Sequence, residues 1–499
     1  MLPLSGVTVL SLEHAVAAPF ATRQLADLGA RVIKVERPGT GDFARAYDES
    51  VDGLASYFVW LNRSKESIAL DVKSESGAKM LRRLADHADV IVQNLGPGAA
   101  ERLGLGAQDV RRRDPRKIVL SITGWGSTGP WADRKAYDLL VQCETGLVSM
   151  TGTPDDVAKV GVSIADIAAG MYGFSGVLAA LYQRQVTGEG ATLEVSLFEA
   201  LSEWMGQPAH FTAGAGRQPG RFGAAHATIS PYGPYSAADG HTFLLAIQNE
   251  PEWQRLCEIV FDDAALAADP RFASNTLRVA NRDAVDAAVT EHFGRRTTDQ
   301  LTKLLKRAKI AFGGVNTVSE FLDHPVLAGR DRWRSVETER GPIRALLPPI
   351  GFGDEPRMDP VPALGADSVT IARELGVSDD EIDDLVASGV LGTHGSDQVR
   401  STNAHDTSTV QGGPRDRHDD HHIEQLRRGL VAATRRRARR ARPGAGDTTG
   451  SHVRPERDLL CRFACADDVA VGVLLRVAAQ QRARRRRASI RRAFPPPDT

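Results

Sequence analysis

Short apolar runs alternate with amphipathic stretches of helical period along the first part of the chain. The apolar runs are VTVLSL (7–12), RVIKVE (31–36), DVIVQN (89–94) and KIVLSIT (117–123). They have the length and residue types of buried strands, whereas PFATRQLADLGA (19–30) and SESGAKMLRRLADHA (74–88) carry apolar residues at helical spacing. This alternation predicts an α/β fold with a Rossmann-like parallel sheet of the doubly wound type. Such sheets bind ligands at the carboxyl ends of their strands.

A longer apolar stretch, VGVSIADIAAGMYGFSGVLAALYQR (160–184), predicts a helix with Asp166 in its first turn. Gly170, Gly173 and Gly176 recur in this helix at every third position. Because a glycine inside a helix costs up to ~1 kcal/mol relative to alanine, the ridge indicates that a backbone or a ligand passes close to one face. Two interpretations stay open. Either Asp166 caps the helix and the glycines serve helix packing, or the acid belongs to a functional site.

The sequence after this helix predicts the division into domains. ATLEVSLFEALSEWM (191–205) predicts a strand that runs into a helix, at the end of the first part of a large domain, residues 1–205. Turn-rich sequence and helical stretches over 206–332 predict a smaller α/β domain, and short strands over 333–391 return the chain to the large domain. The Arg-rich, low-complexity sequence of 392–499 predicts a disordered tail.

Charge divides the chain at the start of the same tail. The tail holds 22 Arg, no Lys and 12 acidic residues, a net charge of +10, and the 40 basic and 51 acidic residues before it give −11. The tail can be interpreted as an arm for an anionic surface, or as translation of GC-rich DNA in a shifted or extended frame. Since no nucleic-acid-binding motif accompanies the arginines, we expect no nucleic-acid partner.

Cysteine usage and the first residues bear on the compartment. Cys143, Cys257, Cys461 and Cys465 have neither metal-site nor disulfide spacing, which is typical of a reducing environment. The start MLPLSGVTVLSLEH lacks the basic segment of a signal peptide, and no apolar run approaches ~18 residues. We therefore expect a cytoplasmic protein with no bound metal and no membrane partner.

The strand–helix–strand unit that ends at Glu36 has the outline of a dinucleotide-binding unit. Its first turn, SLEHAVAAP, contains none of the glycines that let a backbone approach a pyrophosphate. The sequence therefore argues against an NAD enzyme. The next segment, ERPGTGD, puts Arg37 on a tight turn, where a guanidinium group could hold a phosphate or stack on a base.

Several motifs then follow one another in a fixed order. They are ERPGTGD, NRSKESIALDVK, NLGPG with ERLGLG, SITGWGSTGP, KAYD, SIADIAAG and TGEGATLEVSLFEAL. In this order, the chain over residues 4–391 resembles the class III CoA-transferases, the CaiB/BaiF family with its formyl-, carnitine- and bile-acid-CoA transferases. The resemblance implies transfer of CoA from an acyl-CoA thioester to a carboxylic acid, with CoA as a substrate and no prosthetic group. It also implies an interlocked, ring-like homodimer with a Rossmann-like large domain.

The same resemblance implies roles for individual residues. Asp166 matches the family's nucleophile, which passes through a mixed anhydride to an aspartyl-CoA thioester, and Tyr137 and Asp138 match positions beside the acyl site. The matching CoA contacts are His14, Val16, Arg37, Asn94, Leu95, Arg102 and Lys135. Some family members carry a glutamine at the position of Val16, so that polar contact is missing here. From residue types alone, Arg102 and Lys135 can also be surface charges, and the helix dipole should keep Asp166 ionised.

Two other functions have to be weighed against the transferase. A sister branch resembling α-methylacyl-CoA racemase pairs the same Asp with a His at the position that is Tyr137 here. Racemisation needs two acid/base groups, and a tyrosine is a poor base because phenols ionise near pH ~10. A non-catalytic CoA-binding protein is the other alternative, and the retained Asp166 argues against it.

Two stretches bear on the substrate. AHATISPYGPY (225–235) and AIQNEPEW (246–253) resemble transferases that act on dicarboxylic acids and their esters, such as succinyl-, mesaconyl- or itaconyl-CoA. Arg221, His226 and Gln248 could meet a distal carboxylate through hydrogen bonds or an ion pair. Each of the three is equally compatible with a structural role, and a monocarboxylate acceptor stays open.

Overall fold

A seven-stranded sheet organises the part of the chain that the computed structural model describes, residues 1–353 and 355–395. The strands are β1 (Thr8–Leu12), β2 (Arg31–Glu36), β3 (Lys65–Leu70), β4 (Val90–Gln93), β5 (Ile118–Thr123), β6 (Thr192–Ser196), β7 (Tyr232–Ser236), β8 (Thr242–Ala246), β9 (Ala311–Gly314), β10 (Trp333–Val336), β11 (Ile343–Leu346) and β12 (Leu391–Gly392). The large sheet has the order β12-β3-β2-β1-β4-β5-β6. Only its β12 edge is antiparallel. The predicted α/β fold with a mostly parallel sheet is therefore confirmed, while the tail from residue 396 lies outside the described residues.

Helices fill the connections between these strands. The α-helices are α1 (Ala17–Asp27), α2 (Ser56–Asn62), α3 (Glu75–His87), α4 (Ala99–Arg102), α5 (Ala107–Arg113), α6 (Asp138–Glu144), α7 (Leu147–Met150), α8 (Ile164–Thr187), α9 (Leu197–Trp204), α10 (Gly206–Ala215), α11 (Glu250–Arg255), α12 (Ala264–Ala267), α13 (Asn275–Ala280), α14 (Arg282–Gly294), α15 (Thr298–Ala308), α16 (Val318–Leu322), α17 (Pro325–Gly329), α18 (Ser368–Glu374) and α19 (Asp379–Ala387). Two short 3₁₀ turns, Phe43–Ala46 and Pro270–Phe272, and a π-helical turn, Leu256–Phe261, complete the described elements.

The apolar side chains of the large sheet alternate between two cores. Val9 and Val32 face the core that α1, α8 and α9 cover, whereas their neighbours Leu10 and Ile33 face a second core. The second core also takes apolar residues from α3, α18 and α19. Residues near the end of the described chain thus pack beside its first strands. A third core lies within residues 235–310, around the antiparallel strands β7, β8 and β9. The domain boundaries themselves stay a prediction.

Strands β3 and β12 of the large sheet were not predicted from the apolar pattern. The β3 sequence KESIAL begins with three polar residues, so it does not have the pattern of a buried strand. Lys65 is nevertheless buried, because its ammonium group contacts Glu13 at 2.7 Å and Asn62 at 3.1 Å. Buried ions need such partners, and nothing in a linear pattern shows where the partner is.

The structure of helix α8 shows whether Asp166 caps the helix and what the glycine ridge packs against. The residue before the helix is Ser163, so Asp166 lies within the first turn and is not the N-cap. A Cβ atom on Gly170 would lie 2.7 Å from the carbonyl oxygen of Ala17 in α1, and one on Gly173 would lie 3.0 Å from Leu120 Cδ2. These two glycines therefore let α8 approach α1 and the sheet closely, which is the packing interpretation.

The same helix is long and apolar enough, by length and composition, to span a membrane. The sequence-based expectation that no segment reaches this size was wrong for α8. Its most apolar window is 44% buried, and the helix packs on α1, α9, β5 and β6. Core helices of soluble proteins pass the same test.

Replacing Gly170 by alanine should destabilise the fold although alanine is the better helix former. The added methyl would meet the Ala17 carbonyl at 2.7 Å and Phe20 Cβ at 3.1 Å, so α1 and α8 would have to separate. We expect a lower thermal unfolding midpoint for Gly170→Ala. The matched control is Gly176→Ala, whose Cβ would make an ordinary contact of 3.6 Å with Leu193 Cδ1 and should raise stability by up to ~1 kcal/mol. Equal midpoints for the two variants would contradict this account of the ridge.

Candidate active site

The candidate site lies at the carboxyl ends of β1 and β4, where the order of the large sheet reverses. From β1 the chain proceeds to β2 and β3 on one side, and β4 then pairs with β1 on the other. Asn94, after β4, joins the two strand ends because its side-chain oxygen accepts from the His14 N–H at 2.9 Å and its amide donates to the His14 carbonyl at 2.9 Å. Ligands of doubly wound sheets bind at this kind of reversal.

Buried charges support the turn that follows β1. Ala15 has a φ of 62°, in the left-handed region that a residue with a Cβ rarely adopts. Its N–H donates to Asp42 at 3.2 Å, and Asp42 contacts the ammonium group of Lys34 at 2.7 Å. Burial acts to raise the pKa of Asp42, but Lys34 beside it holds that pKa well below its usual range. Asp42 is therefore a charged, fixed acceptor that keeps the turn in its strained conformation.

The predicted CoA contacts that carry a positive charge are exposed near these strand ends. Arg37 directly follows β2, Arg102 ends α4 after β4, and Lys135 lies in the segment after β5. None of the three side chains has a hydrogen bond or an ion pair among the described residues. They are therefore free to meet an anionic ligand.

The other predicted CoA contacts lie close to the same turn. The His14 ring stacks on Phe43, with ring centroids 5.3 Å apart. Leu95 donates its N–H to the Gln93 side chain at 2.8 Å. Val16 is buried against Phe20 and Leu61, so only its backbone is available to a ligand. This packing accounts for an apolar residue at that position.

Asp166 and Asp138 meet at the first turn of α8. Oδ1 of Asp138 accepts from the Ala165 N–H at 2.7 Å and from the Asp166 N–H at 3.3 Å. Asp138 Oδ2 accepts from Gln142 Nε2 at 2.6 Å. Tyr137, the residue before α6, has a largely exposed side chain. The structure thus brings two carboxylates together, one on the helix and one at its amino end.

The ionisation of Asp166 differs from the sequence-based expectation. Burial and then the charge of Asp138 raise the pKa of Asp166 from 3.8 to about 7. The helix dipole favours the ionised form, but it is outweighed by these two effects. The expectation that Asp166 simply stays ionised was therefore wrong. Near neutral pH the protonated and ionised forms coexist.

An aromatic group borders this carboxylate pair. Tyr47 lies next to Phe43 and Tyr57, with ring centroids 5.7 and 5.8 Å apart respectively. The Tyr57 hydroxyl lies 3.4 Å from Ser163 Oγ at the start of α8. Burial raises the pKa of Tyr47 to about 12, and the charges of Asp42 and Asp166 add to the shift. Tyr47 is therefore a neutral hydroxyl on the Asp166 side of the site.

Sequence reasoning missed some of these residues. Tyr47 and Tyr57 belong to no motif that the chain displays, and Asp42 is the last residue of ERPGTGD but was not singled out. Gln142 had a usable signal, because it follows Asp138 by four positions in a helical stretch and such residues share a face.

Two of the three residues considered for a distal carboxylate, Arg221 and His226, have other partners. The Arg221 guanidinium donates to the carbonyl groups of Ser149, Thr153 and Pro154, at 3.1, 2.8 and 2.7 Å. The His226 ring stacks on Tyr232, with centroids 5.2 Å apart. Arg221 in this arrangement anchors one loop to another.

Metal and thiol chemistry find little support in the described part of the chain. No group of three or more His, Cys, Asp or Glu side chains there could hold a metal ion. Cys143 is exposed and Cys257 is buried, and both are free thiols.

Comparison with known proteins identifies the family. The model of "CoA-transferase family III" matches residues 4–368. A succinate–glutarate CoA-transferase of Agrobacterium fabrum is 37% identical over 385 residues, 75% of this chain and 96% of the relative. The human succinyl-CoA:glutarate CoA-transferase is 32% identical over 401 residues, 79% and 90% of the two chains. The crystal structure of a CaiB/BaiF family protein from Brucella suis has 34% identity and a TM-score of 0.67, covering 75% of this chain and 99% of its own. The chain therefore belongs to CoA-transferase family III.

Proposed function

We propose that this CoA-transferase moves CoA from a dicarboxylic acyl-CoA to a second carboxylic acid, with Asp166 as the nucleophile. The observation that carries the proposal is the carboxylate of Asp166 in the first turn of α8. Burial and the charge of Asp138 disfavour the ionised form of Asp166. The same carboxyl-end side of the sheet also holds Arg37, Arg102 and Lys135, whose side chains have no partner among the described residues.

The reaction divides into four substitutions at carbonyl carbon. The Asp166 carboxylate attacks the donor thioester, the C–S bond breaks, and a mixed anhydride and CoA thiolate form. The thiolate attacks the Asp166 carbonyl of the anhydride and releases the donor acid as its carboxylate, which leaves an aspartyl-CoA thioester. The acceptor carboxylate then attacks this thioester, giving a second anhydride and CoA thiolate. Attack of the thiolate on the acceptor carbonyl yields the new acyl-CoA and restores Asp166.

The raised pKa of Asp166 assists the first substitution. The anhydride and the thioester of Asp166 are uncharged, as the protonated acid is. A site that favours the uncharged acid by about 3 pKa units therefore favours these acyl forms by a similar amount, on the order of 4 kcal/mol. Asp166 must lose its proton to react, so activity needs the ionised fraction that appears as the pH rises through about 7.

The turn between β1 and α1 offers donors to the reacting oxygen. Val16 provides no side-chain cap for α1, which leaves the first N–H groups of this helix available to another acceptor. We assign them to the thioester carbonyl, whose oxygen gains charge during each attack. Arg37, Arg102 and Lys135 hold the phosphates of CoA, and His14, Asn94 and Leu95 line the remainder of its path. Tyr137 borders the acyl group from the exposed side.

The names of the relatives suggest the substrate class. The A. fabrum and human relatives are named for succinate, succinyl-CoA and glutarate, which are dicarboxylic acids or esters of them. We therefore propose a succinyl-CoA-like donor and a C4 or C5 dicarboxylate acceptor. Arg221 is occupied by backbone carbonyls, so a distal carboxylate would need a different cation.

A homodimer accounts for apolar surface that the single chain leaves uncovered. Met171, Tyr172, Tyr182 and Val186 of α8 are exposed, and Trp204 at the end of α9 is exposed as well. Helix α10, which follows Trp204, has no buried residue. We propose that a second copy covers these surfaces, as the family's interlocked dimer would, and that the enzyme works in the cytoplasm with its cysteines reduced.

Incubation with succinyl-CoA should leave CoA on Asp166. Intact mass should rise by CoA less one water, the mass of a thioester, and peptide mapping should place the increment on the peptide that contains Asp166. Hydroxylamine should remove it. Asp166→Ala should form no adduct and lose transferase activity, while the control Asp155→Ala, a nearby exposed acid, keeps both. An active Asp166→Ala enzyme would refute the mechanism.

Replacing Asp166 by asparagine should stabilise the protein in a pH-dependent way. The folded protein keeps a proton on Asp166 up to pH about 7 that the unfolded chain releases near 3.8, so this residue lowers stability as the pH rises between these values. The stability gain of Asp166→Asn should be small at pH 4 and level off above pH 7, where it is on the order of 4 kcal/mol. Chemical unfolding at several pH values measures it. A gain that does not depend on pH would contradict the raised pKa.

Light scattering during size-exclusion chromatography should give twice the chain mass of 53.8 kDa. Tyr182→Glu, which puts a charge on the exposed face of α8, should shift the mass toward one chain. The control Gln254→Glu adds the same charge at an exposed position of α11 and should not. A single-chain mass for the unaltered protein would argue against the dimer.

A further inference from the structure

The contacts around the first turn of α8 point to a role for Gln142. We infer that Gln142 is a positioning residue that acts through Asp138. It fixes the first turn of the helix that carries Asp166, and it decides which of two neighbouring carboxylates bears the negative charge. The inference rests on the proposed function, in which Asp166 is the nucleophile.

Gln142 is fully buried, and both ends of its amide are used. Gln142 lies on α6, one turn after Asp138, and its Nε2 donates to Asp138 Oδ2 at 2.6 Å. Its Oε1 accepts from the Val160 N–H at 3.0 Å. Only one orientation of the amide pairs with both neighbours, since a carboxylate oxygen cannot donate and an N–H cannot accept. Gln142 therefore links the segment before α8 to Asp138.

Asp138 in turn replaces the cap that α8 lacks. Ser163 precedes the helix but makes no side-chain capping bond. Asp138 Oδ1 instead accepts from the N–H groups of Ala165 and Asp166, in the first turn. The backbone of the nucleophile is thus bonded to a side chain from another helix, and that side chain is oriented by Gln142.

The charges around the pair give this contact a second effect. Both oxygens of Asp138 accept hydrogen bonds, as the ionised form does. Among the described residues no basic group pairs with Asp138 or Asp166. The other titratable neighbours at this turn are Tyr47, Tyr57 and Tyr137. On the elements packed against α8, Arg23 pairs with Asp27 on α1, Glu194 of β6 accepts from Ser127, and Glu199 of α9 accepts from Ser196. Glu144 on α6 and Glu203 on α9 are exposed, and their side chains have no hydrogen bond or ion pair among the described residues.

Two carboxylates without a cation compete for one proton, and the hydrogen bonds decide which one keeps it. Gln142 and two backbone N–H groups donate to Asp138, and these hydrogen bonds favour the negative charge on Asp138 over the charge on Asp166. If Gln142 were only a satisfied buried amide, its loss would lower stability but leave the ionisation of Asp166 where it is.

A pair of substitutions separates these cases. Asp138→Asn alone sets an amide N–H against Gln142 Nε2, and Gln142→Glu alone sets two carboxylates against each other. In Asp138→Asn/Gln142→Glu every contact is matched again: the asparagine oxygen accepts from Ala165 and Asp166, its amide donates to the new glutamate, and the glutamate accepts from Val160. The charge has moved one helical turn away from Asp166. Gln254→Glu, at an exposed position of α11 away from α8, is the control for glutamate substitution.

Two measurements are made on the full-length protein. The first is the thermal unfolding midpoint, which both single variants should lower and the double variant should largely recover. The second is the pH at which Asp166 ionises, read from the stability difference between each protein and its Asp166→Asn counterpart. In the double variant this pH should fall by about one unit because the neighbouring charge is farther away. Gln254→Glu should change neither quantity.

Either of two results overturns the inference: a double variant no more stable than the weaker single variant, or an Asp166 ionisation that stays at the wild-type pH. Neither measurement uses a substrate. The acid limb of kcat/KM for CoA transfer provides the separate check on function, since it should shift with the Asp166 ionisation. If the ionisation shifts while no CoA adduct forms on Asp166, the positioning role stands and the proposed transfer fails.

Discussion

The close approach of α8 to α1 at Gly170 is the constraint on which the site depends. A side chain at this position would meet the Ala17 carbonyl oxygen at 2.7 Å, so only glycine lets the two helices lie this near. Because Asp166 lies one turn before Gly170, the same contact holds the first turn of α8 near the uncapped start of α1, where Ile167 packs against the apolar cluster that contains Val16. One helix–helix contact thus positions both the helix that carries Asp166 and the helix whose first N–H groups have no side-chain cap.

The buried acids of the scaffold differ from the two acids of the candidate site in whether a cation pairs with them. Glu13, Asp27, Glu36 and Asp42 are buried among the described residues, and each has a Lys or Arg within 4 Å. Such pairs add little net stability because desolvation of both ions offsets their attraction, but they fix geometry where a strained turn needs it. Among the residues that the structure describes, Asp166 and Asp138 have no such partner. Acids that hold the strained turn and the strands in place are thus paired with a Lys or Arg, whereas the two acids of the candidate site are not.

Much of the fold could be predicted because it depends on local pattern. β2 has the bounds that its apolar run predicted, β1 and β5 begin one residue later, and β4 is shorter by one residue at each end. β3 could not be found this way, since Lys65 is buried beside Glu13, which lies 52 positions away. The same limit applies to the site. Asp166 follows from a motif, whereas its raised pKa depends on Asp138 and burial, which exist only after folding.

The link between Asn94 and His14 has a consequence for how such sites diversify. Both of its hydrogen bonds use the main chain of residue 14, so almost any amino acid at that position preserves them. The side chain of His14 takes no part in these two hydrogen bonds, so it can be replaced without breaking the connection between β1 and β4. Single substitutions at residue 14 can therefore change which ligand groups are recognised at the carboxyl ends of β1 and β4, because the hydrogen bonds that connect the two strands do not depend on the side chain at that position.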